Sequence, residues 1–216
     1  MSKRLIIDPR NVAFEALAPA ARMLLDGGVV AGPTASFYAL MALADGHPAL
    51  EKVVELKGAE GRQGKASLIL LDQPARALCY ARETPEAAWA LMSRFWPGPL
   101  TLLFPAQTGL HASLVGPART VALRLESLLA VRRLVRMVDR GLTGTSANPA
   151  GEAPADRAEA VLDYFGDSID LIIDGGVTGG GPPSAIIDVS LAAPRLIRGG
   201  PLSAGDLRAA CPSLEF

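Results

Sequence analysis

Two periodicities alternate along the chain, and each switch between them marks an element. "NVAFEALAPAARMLLDGGVVAGPT" has apolar residues at helical spacing from Phe14 to Leu25, a stop at Gly27-Gly28, and a short apolar run Val29–Ala31 before Gly32-Pro33. This predicts a helix, then a strand, then a turn opening onto a polar loop. "HPALEKVVELKG" repeats Leu50, Val53, Val54 and Leu56 at helical spacing and puts Lys57 at a helix end. The compact run "KASLILLD" then reads as a buried strand. Thr84-Pro85 opens another helix, Pro97-Gly98-Pro99 breaks it, and Leu100–Phe104 follows as a strand.

The second half repeats these signals in shorter form. "TVALRLES" alternates, with Val121, Leu123 and Leu125 on one face and Ala122 and Arg124 on the other. "LLAVRRLVRMVDRG" is an amphipathic helix, and "GLTGTSAN" is the strand or loop after it. "DLIIDGG", "SAIIDVS" and "PRLIRGG" supply three strand-like runs separated by Gly and Pro. The mixture predicts one α/β domain over residues 1–216 with a twisted, mixed sheet. It lacks the glycine fingerprint of a dinucleotide fold. Met41, Met92, Trp89 and Trp96 read as core residues.

Composition narrows the function classes. With 21 Lys+Arg against 22 Asp+Glu over 216 residues, no global charge excess points to duplex nucleic acid or to a membrane surface. The N-terminal "MSKRLIIDPR" is too poor in apolar residues for a secretory signal, and no run approaches the ~20 apolar residues of a membrane span. Cytoplasmic location is the expectation. Cys79 and Cys211 lie far apart and read as buried or incidental thiols, and His47 and His111 as surface or turn residues, so no protein metal site is expected. Neither a Ser-His-Asp order nor a nucleophile elbow supports a hydrolase.

Polar clusters fall where strands end: Thr34-Ala35-Ser36 with Tyr38; Lys57 with Arg62 and Lys65; Arg124; Thr145-Ser146-Ala147-Asn148; Ser184; and Arg198. Each has two readings. The hydroxyl and amide stretches are either turns satisfying their own backbone or neutral sites for phosphate and ribose oxygens. Arg124 either reaches water or binds an anion bidentately. "KGAEGRQGK" is a solvated basic loop or a mobile one over a site, and "DGGVTGGGPPS" lacks the ending of a nucleoside triphosphate P-loop and reads as a flexible connection.

In order, these clusters resemble the YrdC-like family, the threonylcarbamoyl-AMP synthases of tRNA modification. "GPTASFYAL" is similar to P-T-[ED]-T-x-Y-G-L, "VVELKG" to a helix ending in L-K-x-R, and "FWPGPLTLLF" to F-W-P-G-P-L-T. "VALRLE" is similar to V-x-x-R-x-P, "TSANPAGEAP" to T-S-A-N-x-S-G, "GPPSAIID" to P-S-T-[IV]-[VI]-D, and "LIRGG" to [IL]-R-x-G. The resemblance covers about residues 14–207.

That resemblance implies a single open α/β domain with a concave, positively lined groove, and a reaction of ATP, L-threonine and bicarbonate giving threonylcarbamoyl-AMP and pyrophosphate. Mg²⁺ would ride on the triphosphate. The product would go to tRNA through downstream threonylcarbamoyl-transfer proteins. Thr34, Tyr38, Arg124 and Thr145 fall on the substrate side, with Arg124 gripping the threonine carboxylate. Lys57, Ser146, Asn148, Ser184 and Arg198 fall on the nucleotide side.

Seven positions depart from the patterns: Ala35, Ser36, Ala39, Ala59, Glu126, Ala150 and Ala185. Ala59 stands where the family has an arginine after its lysine, so Arg62 or Lys65 would have to join Lys57 in catalysis. The alternatives are a divergent paralogue that binds a nucleotide, tRNA or double-stranded RNA without synthase activity, and a carbamoyl-adenylate activity on another acceptor. The cations Lys57, Arg62, Lys65, Arg124 and Arg198 would supply a local RNA-attracting groove.

Overall fold

The computed structural model describes residues 3–58 and 66–216. Among these, the strands and helices run β1 (Lys3–Ile6), α1 (Ala18–Leu25), β2 (Val30–Pro33), β3 (Tyr38–Met41), α2 (His47–Lys57), β4 (Ile69–Leu71), α3 (Glu86–Phe95), β5 (Leu100–Pro105), β6 (Thr120–Leu125), α4 (Leu129–Val138), β7 (Leu142–Thr143), β8 (Thr145–Ser146), α5 (Ala158–Phe165), β9 (Leu171–Asp174), β10 (Ala185–Asp188), β11 (Arg195–Arg198) and α6 (Ala204–Ala210). The α/β class is as the sequence predicts. The strands, however, form two mixed sheets rather than one: β1-β9-β2-β3-β8, and β11-β10-β5-β6-β4-β7. Two sheets allow two apolar clusters to be buried. One gathers Tyr38, Leu40, Ile69, Leu102, Phe104 and Leu123; the other gathers Leu17, Leu24, Met41, Leu134 and Leu171.

Several local expectations need correcting. Gly32-Pro33 is not a turn but the end of β2, paired with Ala39 and Tyr38. Both faces of β2 are buried, Ala31 in one apolar cluster and Val30 in the other, and the four residues Thr34–Phe37 make the turn instead. Strand β6 is covered on both faces too, with Thr120 and Ala122 buried as well as Val121, Leu123 and Leu125, so its alternation does not separate core from solvent. Trp89 on α3 is 42% exposed, unlike Met41, Met92 and Trp96, which are core. Cys79 is exposed and Cys211 buried. Strand β1 and helices α5 and α6 carry too short a pattern to be read from periodicity, and packing against the sheets and α3 holds them.

The connection between the sheets runs through "GLTGTSAN". Strand β7 pairs with β4 in one sheet, and β8, one residue later, pairs with β3 in the other. Thr143 bridges them: its Oγ1 accepts from Ala42 N at 2.9 Å and donates to Leu40 O at 3.0 Å, at a fully buried position. Gly144 is required by close approach, since a Cβ there would lie 2.6 Å from Leu70 Cγ.

Thr143→Val keeps the volume but leaves a buried N–H without its acceptor. It should lower the unfolding free energy by about 2–3 kcal/mol, read as a shift of the urea midpoint. A change under about 0.5 kcal/mol, the ordinary scale for an exposed substitution, would show that the crossing does not rely on this hydroxyl.

Candidate functional site

Lys57 is placed by α2, whose buried face of Ala49, Leu50 and Val53 packs on the core. The lysine lies in the last turn, where a cation complements the helix dipole. Gly58, at φ 74°, ends the helix in a conformation that suits glycine. The ammonium then inserts into the "TSAN" turn. It donates to Asn148 O at 2.5 Å and Ser146 O at 2.8 Å, with Ser146 Oγ and Asn148 Oδ1 both at 3.4 Å. Asn148 Nδ2 donates to Pro149 O and Glu152 O, each at 2.8 Å, and Ala150 N returns to Lys57 O at 3.2 Å. The result is a cation held by carbonyl dipoles with no carboxylate partner among the described residues. Burial lowers the Lys57 pKa to about 8.

A second assembly forms at the end of β6. Arg124 Nη2 donates to Glu126 Oε2, and both side chains are largely covered, at 12% and 1% exposure. Glu126 Oε1 accepts from Ser127 N at 2.9 Å, Leu128 N at 3.3 Å and Ala35 N at 3.3 Å, which joins β6 of one sheet to the β2–β3 turn of the other. Thr34 Oγ1 closes that turn by donating to Phe37 O at 2.7 Å. The Tyr38 ring is fully buried. Its hydroxyl donates to Gly176 O at 2.8 Å and accepts from Gly175 N at 3.1 Å, and burial pushes its pKa to about 12. Tyr38 therefore anchors the "DGGVTGGGPPS" loop, which Gly180 N ties to Ser36 O at 3.1 Å. That loop is fastened to the Thr34 turn, contrary to its reading as a flexible connection.

The third assembly joins β5, β10 and β11. Arg198 donates to Ser184 O at 2.8 Å and 3.2 Å, and Ser184 Oγ lies 2.8 Å from Thr101 Oγ1. Desolvation lowers the Arg198 pKa, and the nearby charge of Arg124 adds to the effect. Two guanidinium groups are thus close enough to repel, an arrangement suited to an anion between or beside them.

The structure therefore brings Lys57 together with Ser146 and Asn148, Thr34 with Arg124 through Glu126, and Arg198 with Ser184. Thr145 sits on β8 opposite Leu40. The β2–β3 turn links the first two groups, since Ala147 N donates to Tyr38 O at 2.9 Å just beyond Thr34–Phe37. Arg62, Lys65 and Ala59 lie outside the described residues. Sequence reasoning missed Thr101, which hides inside the "FWPGPLT" run, and read Glu126 only as a replaced proline. The signal for Glu126 was a carboxylate two residues after Arg124, just past the end of a mostly apolar strand.

A cavity of about 300 Å³ lies elsewhere, lined by His47, Arg76, Cys79, Tyr80, His111, Asp139 and Arg140 among others. It sits at the opposite end of α2 from Lys57, and none of the residues chosen from sequence lines it. Its Arg76 is already saturated by Asp72 and Asp139. The three polar assemblies form the candidate site because Lys57 and Arg198 are held by carbonyl dipoles rather than by carboxylates, and Arg124 by the single carboxylate of Glu126. No group of three or more His, Cys, Asp or Glu among the described residues is arranged to hold a metal. Among the described residues, no helix is long and apolar enough to cross a membrane.

Known proteins resemble this chain along most of its length. The threonylcarbamoyl-AMP synthase of Pyrococcus abyssi is 35% identical over 184 residues, covering 85% of this chain and 53% of its own length. That of Marinobacter nauticus is 34% identical, covering 84% of this chain and 95% of its own length. The chain thus spans about half of the first relative and nearly all of the second. The structure of P. abyssi Sua5 complexed with L-threonine superposes with a TM-score of 0.89 at 29% identity, over 100% of this chain and 62% of that one. Residues 22–200 match the Sua5/YciO/YrdC family, described as telomere recombination, and the chain belongs to that family.

Proposed function

We infer that the protein is a threonylcarbamoyl-AMP synthase, condensing ATP, L-threonine and bicarbonate to threonylcarbamoyl-AMP and pyrophosphate. The observation that carries this reading is the meeting, at the β2–β3 turn, of a cation-filled "TSAN" turn and an arginine beside the Thr34 loop. One half suits a polyphosphate and the other an amino-acid carboxylate.

The chemistry needs no protein nucleophile. The threonine amine bonds to the carbon of bicarbonate with loss of water, giving a carbamate. A carbamate oxygen then attacks the α-phosphorus, and pyrophosphate leaves with the electron pair of the broken P–O bond. Negative charge concentrates on phosphate oxygens throughout, so fixed cations and dipoles supply the stabilisation. Lys57 holds positive charge behind the Ser146 and Asn148 turn, and Arg198 presents a second charge beside Ser184. Arg124 binds the threonine carboxylate as a fork, a geometry suited to guanidinium. Of the carboxylates, Glu126 is engaged by Arg124 and three N–H groups, so Mg²⁺ would arrive on the triphosphate rather than in a protein cage. The adenylate would pass in the cytoplasm to threonylcarbamoyl-transfer proteins and from them to tRNA.

Purified protein supplied with ATP, Mg²⁺ and bicarbonate should release pyrophosphate with L-threonine present and not without it. ATP binding with no threonine-dependent release would mark a nucleotide-binding paralogue instead. Arg124→Ala should weaken threonine binding at least about tenfold and ATP binding much less, as loss of a charge-assisted pair requires; equal loss of both ligands would remove the assigned role.

Lys57 adds a pH signature. Its proton is present below about 8 and lost above, so ATP affinity should fall by up to about tenfold between pH 7 and pH 9. The unfolded lysine titrates near 10.5, so between these values the unfolded chain binds more protons and this group makes the fold more stable as pH rises. Weakened binding there is therefore not unfolding through Lys57. Lys57→Arg should give an ATP affinity flat across that range, measured by calorimetry.

A further inference from the structure

The motif resemblance treats position 126 as a proline replaced, yet the structure makes Glu126 the connection between both sides of the amino-acid subsite. Its two oxygens have separate partners. Oε1 is saturated by the N–H groups of Ala35, Ser127 and Leu128, with Ser127 Oγ at 3.4 Å, and Oε2 holds Arg124 Nη2. At 1% exposure, and with one oxygen fixed by backbone from two segments, this carboxylate cannot swing aside. Arg124, by contrast, has no other acceptor among the described residues, and its buried Nε has none among them. A long side chain with one anchor takes its orientation from that anchor.

We propose that Glu126 is the positioning residue of the amino-acid subsite: it fixes the plane of the Arg124 guanidinium and ties the Thr34–Phe37 turn to the end of β6. Arg124 and Thr34 then meet an incoming amino-acid carboxylate as one preorganised unit. The inference rests on the synthase reading and deepens it. The free subsite is electrically balanced, which makes a nearly buried arginine tolerable. The guanidinium still keeps most of its N–H donors for a second carboxylate. The opposite role, a competitor that must leave before substrate enters, would require Oε1 to abandon three N–H groups.

The two roles differ in sign, which makes the test direct. L-Threonine and ATP are titrated separately by calorimetry into the unaltered chain, Glu126→Gln, Arg124→Ala and the double variant. Positioning predicts that Glu126→Gln weakens threonine about tenfold or more while ATP affinity stays within about twofold. In the Arg124→Ala background the same change should cost threonine affinity clearly less than it does alone, because the part of its effect that acts through the arginine is gone and only the tie to the Thr34–Phe37 turn remains. Unchanged or tighter threonine binding in Glu126→Gln, equal loss of both ligands, or additive losses in the double variant would each overturn the proposal. Glu126→Asp keeps the charge and shortens its reach; if the glutamine variant does not fold, the aspartate variant must show the same threonine-selective loss or the proposal falls. An unaltered chain that binds ATP but no threonine would sink the synthase reading and this subsite together. Threonine binding that survives Glu126→Gln intact would remove the positioning role alone.

Discussion

The fold depends on one crossing. Within the stretch Leu142–Asn148 the chain leaves one sheet and enters the other, and Thr143 spans the step by accepting from one β3 neighbour and donating to a second. A buried hydroxyl that both gives and receives satisfies two backbone groups at once where the chain passes from one sheet to the other. Gly144 permits the step because the backbone lies flush against Leu70. Everything polar that follows is placed by this geometry. The Ser146 and Asn148 carbonyls face Lys57 because β8 ends beside β3 and α2 returns its last turn to the same edge.

Electrostatics divides the site by how each cation is compensated. Lys57 is held by dipoles, Arg124 by one fixed carboxylate, and Arg198 by the Ser184 carbonyl. Burial strips water from the lysine with no carboxylate among the described residues to offset the loss, which brings its titration down to about 8. Glu126 instead sets an opposite charge directly against the nearly buried Arg124. Anion recognition then needs no large cavity, and the cavity of about 300 Å³ at the far end of α2 serves none of these groups. Concavity and chemistry separate here because Arg76 within that cavity has spent its donors on Asp72 and Asp139.

Much of this was legible along the chain. The helical spacing of Leu50, Val53 and Leu56 gave α2 and placed Lys57 at its end, and the apolar runs gave β4, β5, β9, β10 and β11, because long or compact apolar patterns report burial directly. The polar clusters were legible as clusters, since hydroxyls, amides and cations punctuate strand ends. Trp89 was misread because an aromatic on a helix carries no mark of which face it occupies until the neighbouring helix is known. The alternation of β6 does not mark a solvent face because Thr120 and Ala122 are buried as well as Val121, Leu123 and Leu125, and cover over the second face leaves no mark in the strand itself.

By itself the sequence determined the α/β class, the α2–Lys57 placement and the set of side chains able to meet phosphate and carboxylate, since residue type and spacing are local properties. Only the tertiary structure decided that the strands split into two sheets, that Tyr38 serves the backbone of Gly175 and Gly176, and that Glu126 joins Arg124 to Ala35 across 91 positions of chain. Those facts depend on which distant segments pair, and the free energy that selects the pairing comes from burying both apolar clusters at once.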